Sequence, residues 1–307
     1  LTGIEGEEQA MKIAVMGAGA IGCYYGGLLA RSGLPVTLIG RPQHVDAVKE
    51  RGLILEIGAE QVTVPMEATT EVSGVAGADV VLFCVKSGDT EAVGRDMLPH
   101  LRPDVTVLCL QNGVDNPDRL RAVIGGTVVP VAVYVATAMG GPGHVKHHGR
   151  GDLVMGPSPR DAEIIARFTA AGIPATVSAT AIDALWGKLI VNCAYNALSA
   201  LTQQPYGRLL AMDGVADVMT DIVAECTAVA TAMGVTVAPN TLPAVLGLAA
   251  TMPGQRSSTA QDLAIGKPTE IDHLNGFVIR RGAELGIPTP ANRVLHTLVK
   301  AAEATRA

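Results

Sequence analysis

The chain has 307 residues and a formal net charge of −6, with its 23 lysines and arginines scattered rather than clustered. That balance supplies no basic field for a phosphate backbone and excludes nucleic acid as a partner, while the length exceeds one ordinary core and sets an expectation of two domains. Hydrophobic residues make up 48% of the chain but aromatic ones only 3%, and an Ala, Val and Leu excess suits helices and parallel strands covered on both faces rather than a membrane.

Residues 1–10 include Glu5, Glu7 and Glu8 and have neither a basic start nor an apolar core. They are expected to form a disordered extension, not a secretory signal, with the fold starting at Met11. From there short apolar runs alternate with segments of helical period: Lys12 to Met16, Val36 to Ile39, Val80 to Val85 and Val105 to Leu110 are strand-like. This punctuation predicts a parallel sheet wrapped by helices, with the Gly-rich region Val128 to Met155 adding strands at its edge. The longest uncharged stretch, Thr127 to Gly143, is broken by Pro130 and Pro142 and reads as strands and turns, not a spanning helix. After about Ser178 strand-like runs stop, and long Ala/Leu/Val segments begin, broken at Pro205, Pro239, Pro253, Pro268 and Pro288. The expected fold class is an α/β Rossmann-type domain over residues 11–178 followed by an all-α helical domain over 179–307.

The five cysteines, Cys23, Cys84, Cys109, Cys193 and Cys226, are odd in number, widely spaced and set in apolar runs. They read as reduced packing residues of a cytoplasmic protein. His144, His147 and His148 lie near glycines without further ligands and are expected in a surface turn, with no metal site.

The first run leads directly into Gly17-Ala18-Gly19-Ala20-Ile21-Gly22, a G-x-G-x-x-G at the mouth of a helix running to about Ser32. In that place the first glycine permits the tight turn, the second lets a pyrophosphate approach the backbone, and the third lets helix and strand pack closely. An NAD-type site would carry an acidic residue at the end of the second strand. Here that end reads Leu38-Ile39-Gly40-Arg41, so no carboxylate repels a 2′-phosphate and Arg41 is placed to pair with one, which favours NADPH. Lys86 and Asn112 follow two further apolar strands at their carboxyl ends, where open parallel sheets bind ligands. A solvated lysine and a turn-forming Asn-Gly are the plain alternatives for these two, as an exposed loop arginine is for Arg41.

The segment Ala181 to Leu201 has helical period, and Lys188, Asn192 and Asn196 recur at i, i+4 and i+8 among apolar residues. A lysine in line with two carboxamides is costly against a dry core, so the stripe is expected to face a ligand or polar cavity, with a solvent-exposed face as the alternative. Cys193 points to another face. Further on, Ser257 and Ser258 precede a helix, Ser258 with Gln261 fits a capping box, and Glu270 is placed in the first turn of the next helix, where it complements the macrodipole.

Three segments carry a specific resemblance. Trp186-Gly187-Lys188-Leu189-Ile190-Val191-Asn192-Cys193-Ala194-Tyr195-Asn196, Ser257-Ser258-Thr259-Ala260-Gln261-Asp262 and Pro268-Thr269-Glu270-Ile271-Asp272-His273-Leu274-Asn275-Gly276 resemble the motifs of the ketopantoate reductases, and the similarity runs from Met11 to about Val299. The resemblance implies a Rossmann domain plus a helical domain, and reduction of 2-dehydropantoate to (R)-pantoate by NADPH, a step toward coenzyme A. It makes Lys188 the general acid and Glu270 an organiser that meets a substrate hydroxyl. It gives Asn192, Asn196 and Ser258 to substrate, and sets Asn112 between substrate and cofactor. It assigns the Gly17–Gly22 loop to the diphosphate, Arg41 to the 2′-phosphate and Lys86 to the nucleotide. The chemistry suits the residues, because hydride arriving at a keto carbon leaves a developing alkoxide that needs a proton and a positive field. Thr259-Ala260 stands where bulkier apolar residues are usual in the family, which opens the pocket's size to question. Two other readings stay in play: a paralogue reducing another 2-keto acid, and an NADPH-binding sensor without catalysis. Oligomeric state is open, with a homodimer among its options.

Overall fold

The computed structural model describes residues 10–305. The extension expected at residues 1–10 lies, apart from Ala10, outside them. The chain divides into two compact units, the first running through Gln111 and resuming at Asn116–Ala181, the second joining Asn112–Asp115 to everything from Ile182 onward.

The first unit is a Rossmann-type α/β fold. Its elements in chain order are β1 (Ile13–Met16), α1 (Ala20–Arg31), β2 (Val36–Ile39), α2 (Pro42–Arg51), β3 (Leu53–Ile57), β4 (Glu60–Val64), β5 (Glu67–Thr69), β6 (Val80–Phe83), α3 (Thr90–Met97), β7 (Thr106–Cys109), α4 (Asn116–Ile124), β8 (Thr127–Gly141), β9 (His144–Met155), α5 (Asp161–Ala170) and β10 (Ala175–Val177). Six strands lie in the order β5-β2-β1-β6-β7-β8, and every neighbouring pair is parallel. Residues of β1 are buried on both faces, as the near-continuous apolar run requires: Ile13 and Val15 join one core layer with Leu38, Leu82 and Leu108, while Ala14 and Met16 join another with Ile39, Phe83 and Val107.

Beyond Pro130 the strand β8 leaves β7 and pairs antiparallel with β9, which in turn pairs parallel with β3 and β10. The sheet is therefore mixed. Its β3–β4 hairpin, turning at Gly58 with φ of 62°, falls in a stretch for which the helical punctuation predicts no strand. Leu-Ile-Leu at its start has no polar alternation because Leu53 and Leu55 are fully covered by α1: a Cβ at Gly27 would sit 2.7 Å from Leu53 and 2.8 Å from Leu55. Each of these leucines stabilises the fold by about 1.5–3 kcal/mol through burial.

His144, His147 and His148 also depart from expectation. They lie on β9, not in a surface turn. His144 Nε2 meets Glu56 Oε2 at 2.9 Å, and the His147 ring stacks on Tyr24 with centroids 4.7 Å apart. The strand carries them because it needs partners on both sides, and its glycines mark the irregular register with β8 rather than a turn.

The second unit is all-helical: α6 (Ala181–Thr202), α7 (Tyr206–Leu210), α8 (Val215–Ala232), α9 (Thr241–Thr251), α10 (Ser258–Ala264), α11 (Asn275–Leu285) and α12 (Pro290–Ala304). The five prolines marked as breaks all fall outside the helices. Trp186 on α6 is 2% exposed and meets Phe277 of α11 edge to face at 5.7 Å, and Tyr195 donates to the Val245 carbonyl of α9 at 2.9 Å. Glu225 of α8 accepts the Ala291 and Asn292 amides at 2.8 and 3.0 Å, satisfying first-turn donors of α12 that no side chain of that turn caps. Among the described residues no helix is long and apolar enough to cross a membrane.

Candidate active site

In the first unit the carboxyl ends of β1, β2, β6 and β7 present the glycine loop, Arg41, Lys86 and the start of the Asn112 loop. Gly17 has φ of 113°, and a Cβ there would lie 2.8 Å from the Cys84 carbonyl carbon, so neither the conformation nor the space admits a side chain. At Gly22 a Cβ would come within 2.1 Å of the Gly17 oxygen, which shows how closely α1 starts against the turn. Gly19 differs. It is the N-cap of α1, is exposed, has no side-chain cap, and a Cβ there would meet nothing within 4 Å. Open space over uncapped helix-start amides is what an anion approaching the backbone requires.

Arg41 is exposed at the end of β2, where it is the N-cap of α2. Lys86 is exposed at the end of β6, ahead of the 3-10 turn Ser87–Asp89. Behind these loops lies a buried polar set that the sequence reading missed. Gln111 Nε2 donates to the Val85 carbonyl at 3.0 Å and to Thr90 Oγ1 at 2.9 Å. Asn116 Nδ2 donates to Ser87 Oγ at 3.1 Å, and Arg119 grips Glu91 with two bonds of 2.7 and 2.6 Å while reaching the Ser87 carbonyl and Asn116 Oδ1 at 3.0 Å each.

In the second unit α6 carries Lys188, Asn192 and Asn196 on one stripe. The first two are half-buried and Asn196 is 2% exposed. The segment before α10 docks on the same turn: Ser257 Oγ donates to the Asn196 carbonyl at 3.2 Å, and its amide donates to Ser199 Oγ at 3.3 Å. Ser257, not Ser258, is the cap of α10, accepting the Ala260 amide at 3.0 Å. The cap falls one residue earlier than the Ser258–Gln261 spacing suggests, which leaves Ser258 exposed in the first helical turn.

Glu270 does not open a helix. It precedes the 3-10 turn Ile271–His273, and α11 begins only at Asn275. Asp272 receives His296 Nε2 at 2.6 Å and Lys300 Nζ at 2.9 Å, and Glu303 accepts the Thr269 amide at 2.8 Å. Burial works against the charge on Asp272, but the bonds from His296 and Lys300 outweigh it and hold the carboxyl below its ordinary value of 3.8. Both flanks of Glu270 are thus anchored to α12. Asn112 Nδ2 reaches Glu270 Oε2 at 3.4 Å, a long bond, so these two predicted residues are brought together. Asn275 extends the arrangement, donating to the Cys193 carbonyl of α6 at 3.2 Å and to Asn292 at 2.9 Å.

Family models described as "Ketopantoate reductase PanE/ApbA" and its "C terminal" part match residues 13–160 and 181–303. The chain belongs to the ketopantoate reductase family. A 2-dehydropantoate 2-reductase of Halobacterium salinarum is 36% identical over 95% of this chain and 99% of its own, and one of Pyrococcus horikoshii is 32% identical over 95% and 98%. Among solved structures, a PanE/ApbA family ketopantoate reductase of Ralstonia eutropha JMP134 shares 55% identity with a TM-score of 0.95 over 96% of this chain and 99% of its own. A D-mandelate dehydrogenase solved with NADH and anilino(oxo)acetate shares 27% identity with a TM-score of 0.89 over 96% and 99%.

For a ketopantoate reductase the buried thiols are passive. Burial pushes the Cys23 thiol up to about 12 and Cys193 well above its usual range, where its contact with Cys226 raises it further. None of the five cysteines forms a disulfide. The residues that support the family's motifs, Thr90, Gln111 and Asn116 in one unit and Ser257, Asp272 and His296 in the other, had one faint signal between them: polar side chains set directly beside fully apolar runs.

Proposed function

We propose that this chain reduces 2-dehydropantoate to pantoate with NADPH, residues 11–178 holding the nucleotide and residues 179–307 the substrate. The observation that carries this is the α6 stripe, where Lys188 and Asn192 stand in line with the buried Asn196, and the Ser257–Ser258 segment docks on the same turn through Ser257. The glycine loop fits a dinucleotide, since Gly17 and Gly22 close the turn and Gly19 leaves its approach open. Gly17 to Gly22, including Ala18, Ala20 and Ile21, would hold the diphosphate. Arg41 would pair with the 2′-phosphate, and Lys86 would meet the nucleotide. When bound, the reduced nicotinamide supplies a hydride to the keto carbon.

The protein's own part is to bind, orient and protonate. Asn192, Asn196 and Ser258 hold the substrate's polar groups by hydrogen bonds. Glu270, steadied by its anchors on α12 and met by Asn112, takes a substrate hydroxyl. Lys188 gives a proton from Nζ to the oxygen on which charge develops, and its cationic field lowers the barrier before the proton moves.

A second reading, reduction of another 2-keto acid, is favoured by the likeness to the NADH-bound D-mandelate dehydrogenase and by the small Thr259-Ala260 pair. Loss of NADPH absorbance, followed with 2-dehydropantoate and with a panel of other 2-keto acids, tests both. Highest kcat/KM with 2-dehydropantoate supports the first reading, and preference for another acid supports the second. Tight NADPH binding with no turnover of any acid removes both.

A further inference from the structure

We propose that Thr90 is a positioning residue for Asn112, acting through Gln111 and Asn116 without touching substrate; the proposal rests on the reading of Asn112 as a substrate-side residue. Thr90 is fully buried at the start of α3. Its Oγ1 accepts from Gln111 Nε2 at 2.9 Å and has one proton to give, to the Ser87 carbonyl at 3.0 Å or to Asn116 Oδ1 at 3.1 Å. Gln111 and Asn116 are the residues immediately before and after Asn112–Asp115, the only four residues of this stretch whose contacts place them with the second unit. One hydroxyl is therefore within hydrogen-bond reach of the residues at both ends of the loop.

Inside the loop Gly113 takes φ of 94°, a turn whose direction is decided by its ends. Both ends are also buried, Gln111 at 6% exposure and Asn116 at 0%, so neither can shift without uncovering or stranding an amide. The second bond of Gln111 runs to the Val85 carbonyl, and that of Asn116 to Ser87 Oγ. These are the two neighbours of Lys86, so the same set steadies the loop after β6. The hydroxyl is the shared point, and it does more than fill space: valine has the same shape, but can neither accept from Gln111 nor donate onward.

The experiment is a double-mutant cycle in the full-length enzyme, with kcat/KM for 2-dehydropantoate measured at saturating NADPH for wild type, Thr90→Val, Asn112→Ala and the double variant. Thr90→Val is expected to lower kcat/KM by about 10-fold or more, since a displacement of ~1 Å at a reacting group can cost ~100-fold. Thr90→Ser, which keeps the hydroxyl, is expected to restore most of it. In the Asn112→Ala background, Thr90→Val should cost less than about 2-fold, because there is no carboxamide left to misplace. Equal losses in both backgrounds overturn the proposal. If Thr90→Val does not fold, Thr90→Ala removes the same hydroxyl and carries the same comparison. A second readout does not need turnover: with asparagine side chains labelled, the Asn112 amide resonance should move in Thr90→Val and stay in Thr90→Ser. An unmoved signal also overturns the proposal, whereas absence of turnover in the wild type bears on the reaction alone.

Discussion

Lys188 sits in the chain between Trp186 and Leu189, which are 2% and 1% exposed, while its own side chain is only half-buried. An ammonium in such a neighbourhood is held near apolar surface yet keeps access to a polar ligand, the setting a proton donor needs. Replacing Lys188 by alanine is expected to lower kcat by about 100-fold or more, the usual worth of general acid catalysis. Steady-state turnover at saturating NADPH and 2-dehydropantoate checks this, and a near-wild-type kcat would take Lys188 out of the reaction. Arg41 makes a separate prediction. Because the end of β2 reads Leu38-Ile39-Gly40-Arg41 with no acidic residue, Arg41→Ala should weaken NADPH by about 10-fold or more and NADH hardly at all, as titrated by nucleotide fluorescence. Equal losses for both nucleotides would leave the 2′-phosphate without its assigned partner.

At the scale of elements, the loop between α10 and α11 shows how a flexible connection is made firm enough to present Glu270. Asp272 is held by His296 and Lys300, and Lys300 is itself raised, first by Glu303 and then by Asp272. The signs fix a window. Asp272, with its folded-state pKa depressed, contributes stability that is present above 3.8 and lost as pH falls below it; Lys300, raised, contributes stability present below 10.5 and lost as pH rises above it. Thermal melts of wild type and Asp272→Asn should therefore differ by a constant amount through the neutral range and converge in acid. Convergence at neutral pH instead would mean the anchor is not electrostatic.

This element also marks what the sequence could and could not say. The α6 stripe was legible because three polar residues repeat every four positions on one helix, a spacing that has only one geometric meaning. The anchors of Glu270 were not, because Asp272 and His296 lie 24 positions apart on different elements, and no period links them. Thr90, Gln111 and Asn116 were hidden for the same reason: they belong to two connections, β6–α3 and β7–α4, that only the folded sheet brings side by side. The Ser258–Gln261 spacing misplaced a cap by one residue because Ser257 offers the same hydroxyl and is the one buried against α6.

Over the whole molecule, the parallel strands and the helical second unit followed from composition and periodicity, whereas the β3–β4 hairpin did not. Its register depends on β9, about ninety positions later, and a local reading has no access to so distant a partner. That separation has an energetic consequence. Leu55 of β3 is 1% exposed and packs on α1, so Leu55→Ala should cost about 2–5 kcal/mol in urea unfolding. Because its long-range pairing closes late, most of that loss should appear as faster unfolding and little as slower refolding. A matching slowdown in refolding would place β3 in the folding nucleus.

Trp186 is the only tryptophan in the chain, and it is buried against Phe277 two residues ahead of Lys188. Light absorbed near 295 nm is thus emitted from a single ring on α6. Ligands that settle along that helix have a natural dye beside them, and their affinity can be titrated by quenching, without a label and without letting a single hydride move.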